Sequence, residues 1–148
     1  MEKVYKLANL YVASLRAIYL IHQHNHWTTK GASFYGNHLL FERLYTSATG
    51  DADMAAEKMI GLFGEKGLDF DLQIDYMNKI VSKYASLDGN PVKMSLTIEK
   101  EFLQLSQSVF DTMEEEDAMT LGLDDMIMAL ASKHEENCYL LQQTLDSE

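Results

Sequence analysis

Residues 26–57 read HWTTKGASFYGNHLLFERLYTSATGDADMAAE, and five of their side chains can bind a metal: His26, His38, Glu42, Asp53 and Glu57. Two imidazoles and three carboxylates make a mixed nitrogen and oxygen donor set of the kind that suits iron or manganese. The spacing also speaks for the fold. His38 and Glu42 stand four residues apart, as do Asp53 and Glu57, and four residues place two side chains on one helix face at neighbouring turns.

Each pair could grip one ion, but one straight helix cannot bring both pairs to the same ion. Glu42 and Asp53 are eleven residues apart, which on a helix is roughly 16 Å, far beyond the roughly 2 Å of a metal–ligand bond. Either the pairs serve separate sites, or Asp53 and Glu57 of one chain complete a site begun by His26, His38 and Glu42 of another. At about 100° per residue the four helical ligands fall within roughly 100° of one another. Phe34, Phe41, Leu44, Ala48, Ala55, Met59 and Leu62 occupy a different sector and form the expected core ridge. The ligand ridge is therefore separate from the core ridge and lies near the surface of a lone bundle. This favours the shared site.

The rest of the chain reads as helices too. Val4, Leu7, Leu10, Tyr11, Ser14, Leu15, Ile18 and Ile21 recur at three and four, predicting a first helix from about residue 3 to HQHNHW at 22–27. Gly31 ends it. Ser33 is the expected N-cap of a second helix that runs to about Phe63, before Gly64 and Gly67. Gly50, inside that helix, weakens it by about 1 kcal/mol relative to Ala. Residues 68–94 are less regular, with a short helix near Leu72–Tyr84 that LDGNP at 87–91 interrupts. A third long helix over about Ser95–Glu116 and a fourth over about Leu123–Leu145 complete an all-α chain, read as one domain over 1–148.

The run His26-Trp27, Gly31, Phe34-Tyr35, His38, Glu42, followed by Asp53 and Glu57, resembles the signature of the Dps proteins. These are the DNA-protection-during-starvation mini-ferritins of the ferritin-like superfamily. The resemblance implies a four-helix bundle with a short extra helix in the crossover between the second and third bundle helices. It also implies a hollow homo-oligomer, a dodecamer, in which His26, His38 and Glu42 of one subunit meet Asp53 and Glu57 of a two-fold neighbour. The implied activity is that of a ferroxidase: iron(II) is oxidised by hydrogen peroxide or oxygen, and ferric mineral is stored inside, protecting against oxidative stress. Trp27, beside the first ligand, is implied as a donor of electrons to oxidising equivalents. Three positions depart from the family pattern. Glu42 stands where Asp is usual, Lys58 where Arg commonly follows the Glu, and KHEENCY at 133–139 lacks the usual Trp. No ferritin-type E-x-x-H motif supports a di-iron centre within one subunit.

Charge bounds the partners. The formal net charge is −11, whereas phosphate binding to DNA needs clustered Lys or Arg and draws its strength from counterion release. MEKVYKLANL at one end and LDSE at the other supply no basic tail, so DNA binding is not expected despite the family's name. A non-redox metal-buffering cage is the other alternative to the ferroxidase. No apolar run reaches the roughly 20 residues that span a bilayer. A single cysteine, Cys138, rules out an internal disulfide framework and fits a reducing, cytoplasmic setting.

Other polar residues receive plainer expectations. His22 and His24 are expected as surface or core-edge residues, with His22, one turn before His26, alternatively a support for the site or an extra transient ligand; His134 has no evident partner. Tyr35 and Tyr45 are expected to pack in the core or at an interface, as is usual for aromatics. The acidic run Glu114, Glu115, Glu116, Asp117, with Asp124 and Asp125, is a solvated turn that several copies could gather into a cation-drawing funnel.

Overall fold

Three side-chain caps punctuate the helices of the computed structural model, which describes residues 1–87 and 89–148. Asp69 accepts from the N–H of Leu72 at 3.0 Å, Asn90 from that of Val92 at 2.9 Å, and Thr120 from that of Leu123 at 3.0 Å. Each satisfies a first-turn donor that the helix itself leaves unpaired. The helices are α1 (Glu2–Thr28), α2 (Phe34–Phe63), α3 (Phe70–Ala85), α4 (Pro91–Glu115) and α5 (Leu121–Asp146), with a 3₁₀ segment over Gly64–Leu68 before α3. Among the described residues there is no strand, and no helix is long and apolar enough to cross a membrane. The expected break at LDGNP falls between α3 and α4; its Asp88 lies outside the described residues. Ser33 is the N-cap residue of α2 as expected, although its side chain makes no capping bond.

Direction follows from contacts between distant residues. His26 near the end of α1 meets His38 near the start of α2, so these helices run antiparallel. Asn25 also donates to the carbonyl of Pro91 at 3.1 Å, which places the start of α4 at that same end. Helices α2 and α4 therefore run parallel and need the long crossover that residues 64–90 provide. Asn9 on α1 pins this crossover: it donates to the Lys66 carbonyl at 2.9 Å and accepts from the N–H of Asp69 at 2.7 Å. Further along, the Tyr84 hydroxyl and Lys83 both bond Glu101, tying α3 to α4.

The core has two apolar parts. A larger one joins Val4, Tyr11, Leu15 and Ile18 of α1 to Phe102 and Met113 of α4 and Leu123 and Leu130 of α5. A smaller one comprises Phe41, Leu44, Val92, Leu96 and Leu141. Phe41, Leu44, Ala48, Ala55 and Met59 are buried as the α2 ridge predicts, but Phe34 is 40% and Leu62 38% exposed. Both sit in the end turns of α2, where the other helices of a single chain do not cover them.

Candidate metal centre

The turn over residues 29–33 folds the end of α1 back onto the start of α2, with Gly31 at φ 95°, a conformation that favours glycine. That reversal stacks the imidazoles of His26 and His38, their centroids 3.7 Å apart and their planes 15° off parallel. The two rings are fixed reciprocally: His26 Nδ1 lies 2.7 Å from the His38 carbonyl and His38 Nδ1 2.8 Å from the His26 carbonyl. A carbonyl only accepts, so both Nδ1–H groups donate, leaving each Nε2 lone pair available. A ring held through one nitrogen and open at the other is the usual arrangement of a metal-binding histidine. Phe34 stacks on the outer face of His38 at 5.1 Å, and the edge of Tyr45 meets His26 at 5.3 Å.

Carboxylates do not join this pair within the chain. Glu42, Asp53 and Glu57 are all solvent-exposed along α2, and no three metal-binding side chains gather around one point among the described residues. Asp53 instead lines a groove of about 610 Å³ with Val12, Arg16, Tyr19, Leu20 and Phe70, mostly apolar walls open to solvent. Trp27, next to His26, is 66% exposed, and Tyr35 is 70% exposed. Neither belongs to the core of a single chain.

A second polar constellation lies inside the bundle. Each of four helices contributes one buried side chain: His22 from α1, Asp51 from α2, Glu99 from α4 and His134 from α5. His134 is the centre. Its Nδ1 lies 2.5 Å from Glu99 Oε2 and its Nε2 2.9 Å from Asp51 Oδ2, so both ring nitrogens face carboxylates and both carry protons. The other Asp51 oxygen accepts from Lys133 Nζ at 2.5 Å, and Glu99 Oε1 accepts from His22 Nε2 at 2.9 Å and from Asn137 at 3.2 Å. His22 Nδ1 then accepts from Ser95 Oγ at 2.9 Å, and Ser95 accepts from Asn25 at 2.7 Å. The row of donors and acceptors is complete, as a buried polar network must be to avoid a large desolvation penalty.

The network decides how two of its members titrate. Burial alone would lower the His134 pKa, but the hydrogen bonds and charges of Asp51 and Glu99 outweigh it and raise the value from 6.5 to about 9. For Glu99, burial acts to raise the pKa, and the hydrogen bonds and charges of His134 and His22 overcome it, bringing the value from 4.5 down to about 2. Cys138 goes the other way: burial and then the charge of Glu99 push its thiol up to about 11, which suppresses the reactive thiolate.

Two expectations are corrected here. His22 is neither at the surface nor at the core edge but fully buried, and His134 has two carboxylate partners. The signal that could have found them was phase. Asp51 lies at core spacing between Ala48 and Ala55, and Glu99 stands between the core residues Leu96 and Phe102. A charged residue at a core position of a helix points to a buried partner elsewhere.

An all-helical chain of four long helices, its central pair parallel and joined by a crossover with a helix of its own, is a ferritin-like bundle. No family model matches the chain. It is similar to the Dps proteins in sequence and in fold. One curated relative, a DNA protection during starvation protein from Brevibacillus brevis, is 27% identical over 134 residues, covering 86% of this chain and 87% of the relative. Among solved structures, Dps from Thermosynechococcus elongatus matches with a TM-score of 0.80 at 22% identity, covering 97% of this chain and 90% of that one. Dps from Microbacterium arborescens in the high iron form matches at 0.77 and 20% identity, covering 97% and 92%.

Proposed function

We propose that this chain is an iron-storage and detoxification protein. It assembles into a hollow homo-oligomer, a dodecamer, and oxidises iron(II) at sites shared between two-fold neighbours. The observation that carries the reading is the stacked His26–His38 pair, with both Nδ1 groups pinned to backbone and both Nε2 lone pairs left over. Such a pair is two ligands short of a closed site. Asp53 and Glu57 face solvent on the same helix, too far along it to reach their own chain's imidazoles, and Asp53 borders an apolar groove that a second copy would cover. Similarity to Dps proteins, one of them in a high iron form, supports iron as the substrate.

In this reading iron(II) binds His26 and His38 with Glu42 beside them, and Asp53 and Glu57 arrive from the neighbour. The imidazoles suit iron(II), while carboxylates stabilise the higher charge of iron(III). With hydrogen peroxide the reaction balances as two Fe²⁺, one H₂O₂ and two H⁺ giving two Fe³⁺ and two H₂O, so no hydroxyl radical is released. Trp27, exposed beside His26, supplies an electron when only one iron(II) is present. The exposed Glu114, Glu115, Asp117 and Asp125 lie at the α4–α5 turn, where neighbouring copies would form a cation entrance.

Two measurements test the proposal. Stopped-flow absorbance after mixing the protein with iron(II) and peroxide should show a ferric band; its absence, with metal bound, would leave a non-redox cage. Separately, His38→Ala and Asp53→Ala should each abolish the band, and dissociating, mixing and reassembling the two variants should restore part of it. No recovery from properly reassembled mixtures overturns the shared site.

A further inference from the structure

We propose that His134 is a positioning residue for the iron half-sites. By bridging Asp51 and Glu99 inside the bundle, it sets the rotation and axial register of α2, the helix that carries His38, Glu42, Asp53 and Glu57. This rests on the function proposed above, and its starting point is the packing of α2.

From Ser47 to Ala56 that helix reads SATGDADMAA, and the residues it turns inward are Ala48, Asp51 and Ala55, with Ala52 and Ala56 at the flanks. Side chains this short make shallow ridges, which fit a neighbouring helix in more than one register. Long apolar side chains return only at Leu44 and Met59. Between them, among the described residues, the one side chain that hydrogen-bonds another helix is Asp51, gripped by His134 Nε2 at 2.9 Å and by Lys133 Nζ at 2.5 Å, both from α5. Setting register is the best-attested use of buried ionic groups, which otherwise add little stability over apolar ones.

The register of Asp51 is transmitted to the ligands by helix geometry alone. Asp53 is two residues on, about 200° around the helix, so fixing Asp51 inward fixes Asp53 outward. The same network reaches α1: Glu99, bonded to His134, also holds His22, which lies one turn before His26. The two helices of the His26–His38 pair, joined directly at their ends by its reciprocal hydrogen bonds, are thus tied a second time, inside the bundle, through one imidazole. The imidazole itself meets Asp51 from α2, Glu99 and the Phe102 ring from α4, and Asn137 from its own α5, while His22 of α1 and Lys133 of α5 reach it only through those two carboxylates.

The test separates register from stability. In the triple variant Asp51→Ala, Glu99→Met, His134→Leu the bridging groups become apolar while His22 and Asn137 lose their Glu99 acceptor, so its binding is compared with wild type far below the melting point of each. Cobalt(II) affinity, read from its visible absorption at neutral pH, should fall at least tenfold. In case the triple variant does not fold, His134→Gln measured far below its melting point should show the same loss. Unchanged cobalt affinity in either folded variant overturns the proposal. Failure of the underlying function looks different: wild type itself then takes up no cobalt that His38→Ala removes. The register is read independently by the distance between nitroxides at the exposed positions 46 and 128 in a Cys138→Ala background, spin-diluted with unlabelled chain. The inference requires a broader or displaced distribution in the variants, and an identical one overturns it.

Discussion

Raising the pH should unlock the core at one proton. His134 has a pKa raised from 6.5 to about 9 by two carboxylates. Because the folded value lies above the unfolded one, the stabilisation is fully present below pH 6.5 and is lost as pH rises through 9. At 1.36 kcal/mol per pKa unit, this rise amounts to about 3 kcal/mol. His134 is fully buried, so solvent screening takes little of it. For a chain of this size that is roughly 10 °C in melting temperature. Glu99 sets the other limit: its value is lowered from 4.5 to about 2, so its share is present above pH 4.5 and is lost as pH falls through 2. The two describe largely one interaction and are not summed. The wild-type protein should be most stable between pH 4.5 and 6.5. The assay is thermal unfolding by circular dichroism from pH 5 to 10, with the oligomeric state checked at each pH. His134→Gln should melt lower at pH 6, by about 3–5 kcal/mol, because a buried carboxylate loses its charged partner. Above pH 9 the two curves should converge, since wild type has by then lost the same proton. Parallel curves, with the gap unchanged from pH 6 to 10, would refute the idea that one shared proton closes the network.

Three further outcomes follow from the packing and the charge. Gly50 sits within α2 with open space around it, nothing lying within 4 Å of where a β-carbon would stand, so Gly50→Ala should stabilise the chain by about 1 kcal/mol in chemical denaturation; a loss instead would show that a neighbouring copy covers this face. Gly67 is the opposite case, because an added carbon would lie 2.7 Å from Phe63 Cβ and 2.9 Å from the Met59 carbonyl. Gly67→Ala should therefore destabilise by about 1–3 kcal/mol, and an unchanged melting curve would contradict the tight crossover. Purified protein should not retard duplex DNA in a gel at low salt, given its net charge of −11; retardation that added salt abolishes would overturn the charge argument.

Helix existence and order were legible in the sequence because they depend on local spacing. Apolar residues at three and four mark α1, and Ser33 and Gly31 mark boundaries through the backbone angles they favour, whereas α4 begins at Pro91, a turn before the expected Ser95, because Asn90 caps it and proline suits the first helical position. The pairing of His26 with His38 could be expected from a short turn between two helices. Its stacked geometry could not, since it depends on how tightly residues 29–33 reverse the chain. The crossover helix is longer than its apolar pattern suggested, Phe70–Ala85 against 72–84, because Asp69 caps it from a position that the periodicity does not mark.

The order of residues alone was thus enough to define the rods and the ridge of His38, Glu42, Asp53 and Glu57 along one of them, since a fixed rise and turn per residue relate neighbours on a helix whatever surrounds it. The meeting of His22, Asp51, Glu99 and His134 came from the packed bundle. Those four lie on four different helices, and their approach depends on how each helix is rotated about its axis and slid along its neighbours. Periodicity within one helix carries no information about that, which is why His134 read as solitary in the sequence and stands between two carboxylates in the fold.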